Sequence, residues 1–192
     1  GITYRMLGSE VTIIEAMDSI LPIFDKELRR PLEIAIKKQK ISVNTNVFAK
    51  GIEENKDGSI DLLFTPKDAK EGTEPERLTV DKVLVTVGRR PMSAALAPTG
   101  VALDERGFVK VNNKCETNMK GVYAIGDVCD LGEMLAHVAS FQGEMVAEIL
   151  AGEDRVYEPA AVPAIVFTEP EVVAVGLSPD EAKAAGHPII TG

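Results

Sequence analysis

Two carboxylates follow apolar, strand-like runs, which is where α/β sheets place ligand-binding groups. Glu15 follows the β-branched run at residues 11–14, and Asp127 follows the apolar run at residues 122–126. In either position a carboxylate can accept hydrogen bonds from the hydroxyls of a ribose or another polyol. Simpler roles stay open, because Glu15 also suits a solvated strand end and Asp127 a turn or a helix cap.

A glycine and two arginines end a third apolar run, at residues 81–87. Gly88 allows a ligand to approach the backbone closely, and Arg89 and Arg90 can bind phosphate or serve as surface charges. His137 lies on the first turn of a predicted helix, where a histidine beside an apolar face is usually structural. Since no nucleophile triad, carboxylate pair or metal-ligand cluster can be assigned, we predict neither a catalytic residue nor a metal site in this sequence.

The first half of the sequence predicts part of a doubly wound α/β sheet that carries a small β-meander insertion. A strand at residues 10–15, a helix at 25–40 and a strand at 81–87 form the doubly wound part. Pro31 lies inside that helix and predicts a kink or a later start. Three antiparallel strands are expected between this helix and the strand at 81–87, at residues 47–54, 59–65 and 78–80. A hairpin turn is expected at Asn55-Lys56-Asp57-Gly58.

The second half predicts shorter elements around one long helix. Strands are expected at residues 107–111 and 121–125, followed by a helix at 134–151. The apolar face of that helix is predicted to carry Met134, Val138, Phe141, Met145 and Ile149. After a linker, two further strands at 164–168 and 172–175 precede a helix that Ser178 caps, with Pro179 at its first position.

Composition and charge exclude several classes of protein. The net charge is −9 and the pI is near 4.8, which excludes nucleic acid as a main partner. No apolar run approaches the roughly 18 residues of a membrane span. Cys115 and Cys129 lack the spacing of a zinc or disulfide motif, so we expect free thiols in a reducing compartment.

Several motifs occur together and in order along the whole chain: residues 4–15, 85–91, 121–128, 134–137 and 167–172. Together they resemble the flavin-dependent pyridine-nucleotide disulfide oxidoreductases. The run Met134-Leu135-Ala136-His137 and the run at 167–172 are most similar to the dihydrolipoamide dehydrogenases within that family. Three features depart from the family pattern near the expected flavin site. They are the number of residues between Asp127 and Met134, the residue Glu133 and the residue Val138.

The resemblance implies roles for eight residues in binding FAD and NAD. Glu15 would bind the adenosine ribose of NAD, Val47 would flank the adenine, and Gly88 would contact NAD through its backbone. Asp127 would bind the ribityl hydroxyls of FAD. The amides at the start of the long helix would contact the flavin pyrimidine, from the residues Met134, Leu135, Ala136 and His137.

The resemblance also implies a three-domain layout and a middle fragment of a longer enzyme. Residues 1–88 would form an NAD-binding domain without its first strand, 89–158 the closing part of an FAD-binding domain, and 159–192 the start of an α+β dimerisation domain. The redox disulfide and the acid–base pair would lie outside these 192 residues, so the chain alone is expected to be inactive.

The implied activity is oxidation of dihydrolipoamide, with electrons passing through a disulfide and FAD to NAD. The expected partner is a lipoyl-bearing protein of a 2-oxoacid dehydrogenase or glycine cleavage complex. A homodimer in the cytoplasm is expected, or in the mitochondrial matrix if the source is eukaryotic. Mercuric reductases, soluble transhydrogenases and a non-catalytic nucleotide-binding module remain alternatives.

Overall fold

The structure is a computed structural model that describes residues 1–190 of the chain. These residues form two compact units. The first comprises Gly1–Val85 together with the segment that begins at Pro163, and the second comprises Thr86–Val162. Each unit has its own cluster of buried apolar side chains. The predicted three-domain layout, with boundaries at residues 88 and 158, stays a prediction.

The first unit opens with a parallel β-α-β arrangement. Strands β1 and β2 pair in parallel, with Ile13 opposite Val43, and the helix between them buries Leu32 and Ile36 against the core. Parallel neighbours need such a crossover, but the strand that pairs with β1 is β2 and not the predicted strand at residues 81–87. The elements are α1 (Ile2–Met6), β1 (Thr12–Ile14), α2 (Lys26–Lys38) and β2 (Ser42–Asn44).

Helix α2 accommodates a proline in its interior. The helix begins at Lys26, directly after Asp25, and continues through Pro31 to Lys38. Of the two effects predicted for Pro31, the later start is therefore wrong and the kink stays a prediction. Proline removes one backbone donor, and burial of the apolar face of α2 offsets that loss.

An antiparallel meander follows, as the hairpin signal predicts. Glu54 pairs with Ile60 across the turn, and Ile60 pairs in turn with Val80. The strands are β3 (Val47–Glu54), β4 (Ile60–Pro66) and β5 (Glu76–Val80), in the order β3-β4-β5.

The predicted strand at residues 81–87 is absent from this structure, and that prediction is wrong for the described residues. Leu84, Val85 and Val87 are exposed, at 67 %, 70 % and 91 % of their surface. A buried parallel strand needs hydrogen-bonding neighbours and cover on both faces. Among residues 1–190, β1 and β2 pair only with each other, so the parallel sheet has two strands.

The second unit is built around helix α3 (Ala136–Leu150), which is shorter than predicted. Its buried face carries Val138, Gln142 and Met145, whereas Phe141 keeps 43 % of its surface exposed. The prediction of the apolar face is therefore wrong at Phe141. The face of α3 that packs into the core includes the polar residue Gln142 instead.

Irregular segments surround α3 where two strands were predicted. At residues 107–111 and 121–125 the structure has only isolated bridges, which join Leu103 to Val109, Val109 to Cys129, and Glu116 to Tyr123. Such short apolar runs need a continuous partner strand to form a ladder. Two 3₁₀ helices complete this unit, at Ala94–Thr99 and Gly126–Val128.

The last segment packs within the first unit. The two predicted strands are present as β6 (Pro163–Val166) and β7 (Val172–Val175), which pair antiparallel, and Val172 joins the apolar cluster of α2. Helix α4 (Pro179–Ala184) begins with the predicted cap: the Ser178 hydroxyl accepts from the Glu181 amide, 3.2 Å away. The predicted dimerisation domain, 159–192, stays a prediction, and its residues 191–192 lie outside the described residues.

Across residues 1–190, no helix combines the length and the apolar character that crossing a membrane requires.

Candidate functional site

The 3₁₀ turn Gly126–Val128 places the Asp127 carboxylate, 44 % exposed, at the surface of the second unit. Asp127 Oδ2 accepts a hydrogen bond from Arg89 Nη1 at 2.5 Å, and Arg89 Nη2 donates to the carbonyl oxygen of Met134. Within residues 1–190, the other carboxylate oxygen, Oδ1, accepts no hydrogen bond. Asp127 therefore offers a charged acceptor to a ligand, and Arg89 connects it to the segment before α3.

Helix α3 begins nine residues after Asp127 and supplies donors. Its first helical hydrogen bond runs from the Ala139 amide to the Leu135 carbonyl, at 3.1 Å. The amides of Ala136, His137 and Val138 precede this bond and carry the partial positive charge of a helix N-terminus. Ala136 and His137 are exposed, whereas Met134 and Leu135 are half-buried. The helix begins two residues later than predicted, so Met134 lies before the cap.

A buried glutamine holds the loop that carries Asp127, here called the 126–131 loop. The Gln142 side chain is fully buried, and its Oε1 accepts from the Gly126 amide at 2.7 Å. Its Nε2 donates to the Leu131 carbonyl at 2.6 Å. Both ends of the loop thus bind one side chain of α3. Sequence reasoning missed Gln142, and the one available signal was a polar residue between Val138 and Met145 on the helix face.

The loop also lies directly against α3. Gly126 has a φ of +67°, and a Cβ built on it would stand 2.8 Å from the Cβ of Ala139. Only glycine accommodates both this φ and this approach.

The two thiols of the second unit are free and buried. Cys115 is fully buried, and this burial raises the pKa of its thiol to about 11. Burial also raises the pKa of Cys129, whose Sγ lies 3.3 Å from the Gly126 carbonyl oxygen. Because a thiolate is the reactive form, neither thiol is activated as a nucleophile near neutral pH. In the described part of the chain, no three His, Cys, Asp or Glu side chains are grouped to hold a metal ion.

Two predicted residues come together in the first unit. Glu15 follows β1, and its carbonyl oxygen accepts from the Val47 amide at 3.1 Å. The Glu15 carboxylate accepts from the Met17 amide at 2.7 Å, which holds the side chain at the strand end. Gly88 belongs to the second unit, where it is exposed with a φ of +118°.

The sequence profile of one family, Pyridine nucleotide-disulphide oxidoreductase, matches residues 1–143 of the chain. The chain belongs to this family. The predicted α/β class and family membership are confirmed, and membership implies a flavin and a nicotinamide cofactor.

Relatives of the family match nearly the whole chain. A dihydrolipoyl dehydrogenase of Thermus scotoductus is 43 % identical over an alignment of 194 positions, which covers 100 % of this chain and 41 % of the relative. One of Pseudomonas aeruginosa is 43 % identical over 189 residues, 97 % of this chain and 38 % of the relative. The predicted similarity to the dihydrolipoamide dehydrogenases is confirmed. The chain spans about two fifths of the length of these curated relatives.

Solved structures of the family share the fold. The HOCl-induced flavoprotein disulfide reductase RclA from Escherichia coli superposes with a TM-score of 0.80 at 26 % identity. The superposition covers 95 % of this chain and 40 % of that protein.

Proposed function

We propose that this chain is the middle part of an NAD-dependent flavoenzyme that oxidises protein-bound dihydrolipoyl groups. We call that longer protein the parent enzyme. The arrangement of Asp127 and the start of α3 is the observation that carries this proposal, together with the similarity to dihydrolipoyl dehydrogenases.

The chemistry of the second unit fits FAD. Asp127 offers a carboxylate to the ribityl hydroxyls, and a hydrogen bond to a charged acceptor is stronger than one between neutral groups. In the segment Met134, Leu135, Ala136 and His137, the amides of Ala136 and His137 at the start of α3 would donate toward the electron-rich edge of the flavin pyrimidine. FAD, when bound, supplies electron transfer between a dithiol–disulfide pair and the nicotinamide. The positive end of α3 favours negative charge at that edge.

The first unit fits the adenosine part of NAD. Glu15 accepts from the ribose hydroxyls at the end of β1, while Val47, one backbone hydrogen bond away, flanks the adenine. Gly88 belongs to the second unit, and its proposed backbone contact with NAD rests on the similarity to the family and on its lack of a side chain. With these roles, residues 1–88 form the NAD-binding part, 89–158 the closing FAD-binding part and 159–192 the start of the dimerisation part.

The wider setting of the parent enzyme follows from the same similarity. Its partner is a lipoyl-bearing protein of a 2-oxoacid dehydrogenase or glycine cleavage complex, and the enzyme is a homodimer. The free, buried Cys115 and Cys129 are consistent with a reducing compartment, the cytoplasm or the mitochondrial matrix.

The similarity to RclA supports a second candidate, a flavoprotein disulfide reductase with another substrate. Dihydrolipoamide-dependent NADH formation by the parent enzyme supports the first proposal. NAD(P)H consumption with a different disulfide or with mercuric ion, and none with lipoamide, supports the second candidate.

The test of the flavin site is the substitution Asp127→Ala in the parent enzyme. Removal of the charged acceptor is expected to cost about 1.5–3 kcal/mol, which weakens FAD binding about 10- to 150-fold. Fluorescence titration of the flavin-free protein measures this loss. Glu133→Ala is the matched control, because it removes an exposed carboxylate from the same segment. Unchanged FAD affinity in Asp127→Ala would contradict the proposed site.

A further inference from the structure

Gln142 is a buried polar side chain of α3 that touches both ends of the 126–131 loop. It is fully buried, yet each end of its amide has a partner on the loop, the Gly126 amide and the Leu131 carbonyl. Satisfied buried amides of this kind specify one local arrangement of the backbone.

We propose that Gln142 is a positioning residue that holds the 126–131 loop in the conformation in which Asp127 binds the flavin ribityl chain. This inference rests on the proposed function, because it concerns the same site. Gln142 itself is buried beneath the loop and acts through Asp127.

The loop is held on two sides. Val109 fixes its middle: the Val109 amide donates to the Val128 carbonyl at 2.8 Å, and the Val109 carbonyl accepts from the Asp130 amide at 3.1 Å. Gln142 fixes its ends at 2.7 and 2.6 Å. Removal of the Gln142 contacts takes one hydrogen-bond partner from each end of the turn while its middle stays attached, which changes where the Asp127 carboxylate points.

The two contacts require one acceptor and one donor on the same side chain. A glutamine amide supplies both, and so does a protonated glutamic acid of the same length. A glutamate carboxylate has acceptors only, so the Leu131 carbonyl would lose its donor and face a negative charge. In the variant Gln142→Glu, the hydrogen bonds from residue 142 to the loop should therefore depend on pH.

The ionisable groups near Gln142 do not produce this pH dependence themselves. The Cys129 thiol lies 3.9 Å from Gln142 Oε1, and burial raises its pKa, so the thiol stays neutral near neutral pH. On the loop itself, Asp127 pairs with Arg89, and the Asp130 carboxylate accepts from the Val111 amide at 3.1 Å. Burial of a glutamic acid at position 142 raises its pKa, because desolvation disfavours the charged form.

The experiment measures FAD affinity of the parent enzyme against pH by flavin fluorescence, with folding monitored by circular dichroism. Gln142→Glu is expected to bind FAD as the unsubstituted enzyme does at low pH and at least tenfold more weakly at high pH. Gln142→Met, which fills the space without hydrogen bonds, is expected to bind at least tenfold more weakly throughout. Glu144→Gln is the matched control, because it exchanges the same two groups on an exposed position of α3. Neither the control nor the unsubstituted enzyme is expected to show this decrease in FAD affinity between low and high pH.

Three results would overturn the inference. One is a Gln142→Glu variant whose FAD affinity has the pH profile of the unsubstituted enzyme. The second is full FAD affinity in Gln142→Met. The third is loss of the folded state in both variants at every pH, since Gln142 would then support the whole unit. Failure of the unsubstituted parent enzyme to bind FAD at all is a separate outcome, which would refute the proposed function and the inference with it.

Discussion

Gly126 offers a direct test of how closely the Asp127 turn packs on α3. An alanine there must keep a φ of +67°, which costs about 1–2 kcal/mol for a residue with a Cβ. Its Cβ would also stand 2.8 Å from the Ala139 Cβ, which belongs to a helix and cannot rotate away. Overpacking of this kind costs about 1–3 kcal/mol. Gly126→Ala should therefore destabilise the second unit by about 2–5 kcal/mol in total.

Gly121 provides the control for the backbone contribution. Its φ is +78°, and a Cβ there would meet nothing within 4 Å. Gly121→Ala should cost only the backbone share, about 1–2 kcal/mol. The difference between the two variants then isolates the contact with Ala139.

A double-mutant cycle with Ala139→Gly makes the test sharper. Glycine at position 139 removes the clashing Cβ, at a helix-propensity cost of about 1 kcal/mol. In the double variant, Gly126→Ala should cost about 1–3 kcal/mol less than it does alone. Urea unfolding, followed by labelling of the buried thiols Cys115 and Cys129, reports on this unit specifically. Equal costs for the two glycine substitutions, or no recovery in the double variant, would refute the packing argument.

Two further predictions concern a thiol and the choice of nucleotide. Burial raises the pKa of Cys115 from 9.0 to about 11, so the folded state binds its proton more tightly than the unfolded state. The stability from this burial is full below about pH 9 and is lost as the pH rises to about 11, by on the order of 2 kcal/mol. Because burial also raises the pKa of Cys129, the loss of stability should be smaller in Cys115→Ala but not absent. Equal pH profiles of the two proteins in urea unfolding would contradict the prediction. For the nucleotide, Glu15 should favour NAD over NADP more than tenfold, because a carboxylate repels a 2′-phosphate. Glu15→Arg should narrow or reverse the ratio of the two dissociation constants, whereas equal binding of both nucleotides before substitution would refute the role.

Local signals in the sequence predicted local structure well. The turn Asn55-Lys56-Asp57-Gly58 identified the hairpin, and Ser178 identified the start of α4, because each depends on neighbours within four residues. The position of Asp127 after an apolar run was also visible. The prediction of a strand at residues 81–87 was wrong. A strand forms only where a partner strand lies beside it, and a local sequence pattern does not show whether that partner is present.

The supports of the candidate site depended on tertiary contacts. Gln142 is buried because the Gly126 amide and the Leu131 carbonyl meet its side chain, and these groups lie 16 and 11 residues away along the chain. Arg89 reaches Asp127 across 38 residues. Periodicity assigns polar side chains to the surface, so it could not predict that one of them belongs to the core.

The exposed run at Leu84, Val85 and Val87 bears on how this polypeptide behaves at high concentration. Consecutive strand-forming side chains with unpaired backbone groups are a template for sheet formation between molecules. The net charge of −9 opposes such encounters, and its range shrinks from about 30 Å at 0.01 M salt to about 8 Å at 0.15 M. Dilute, low-salt solutions should therefore keep the chain dispersed, whereas salt should accelerate its self-association.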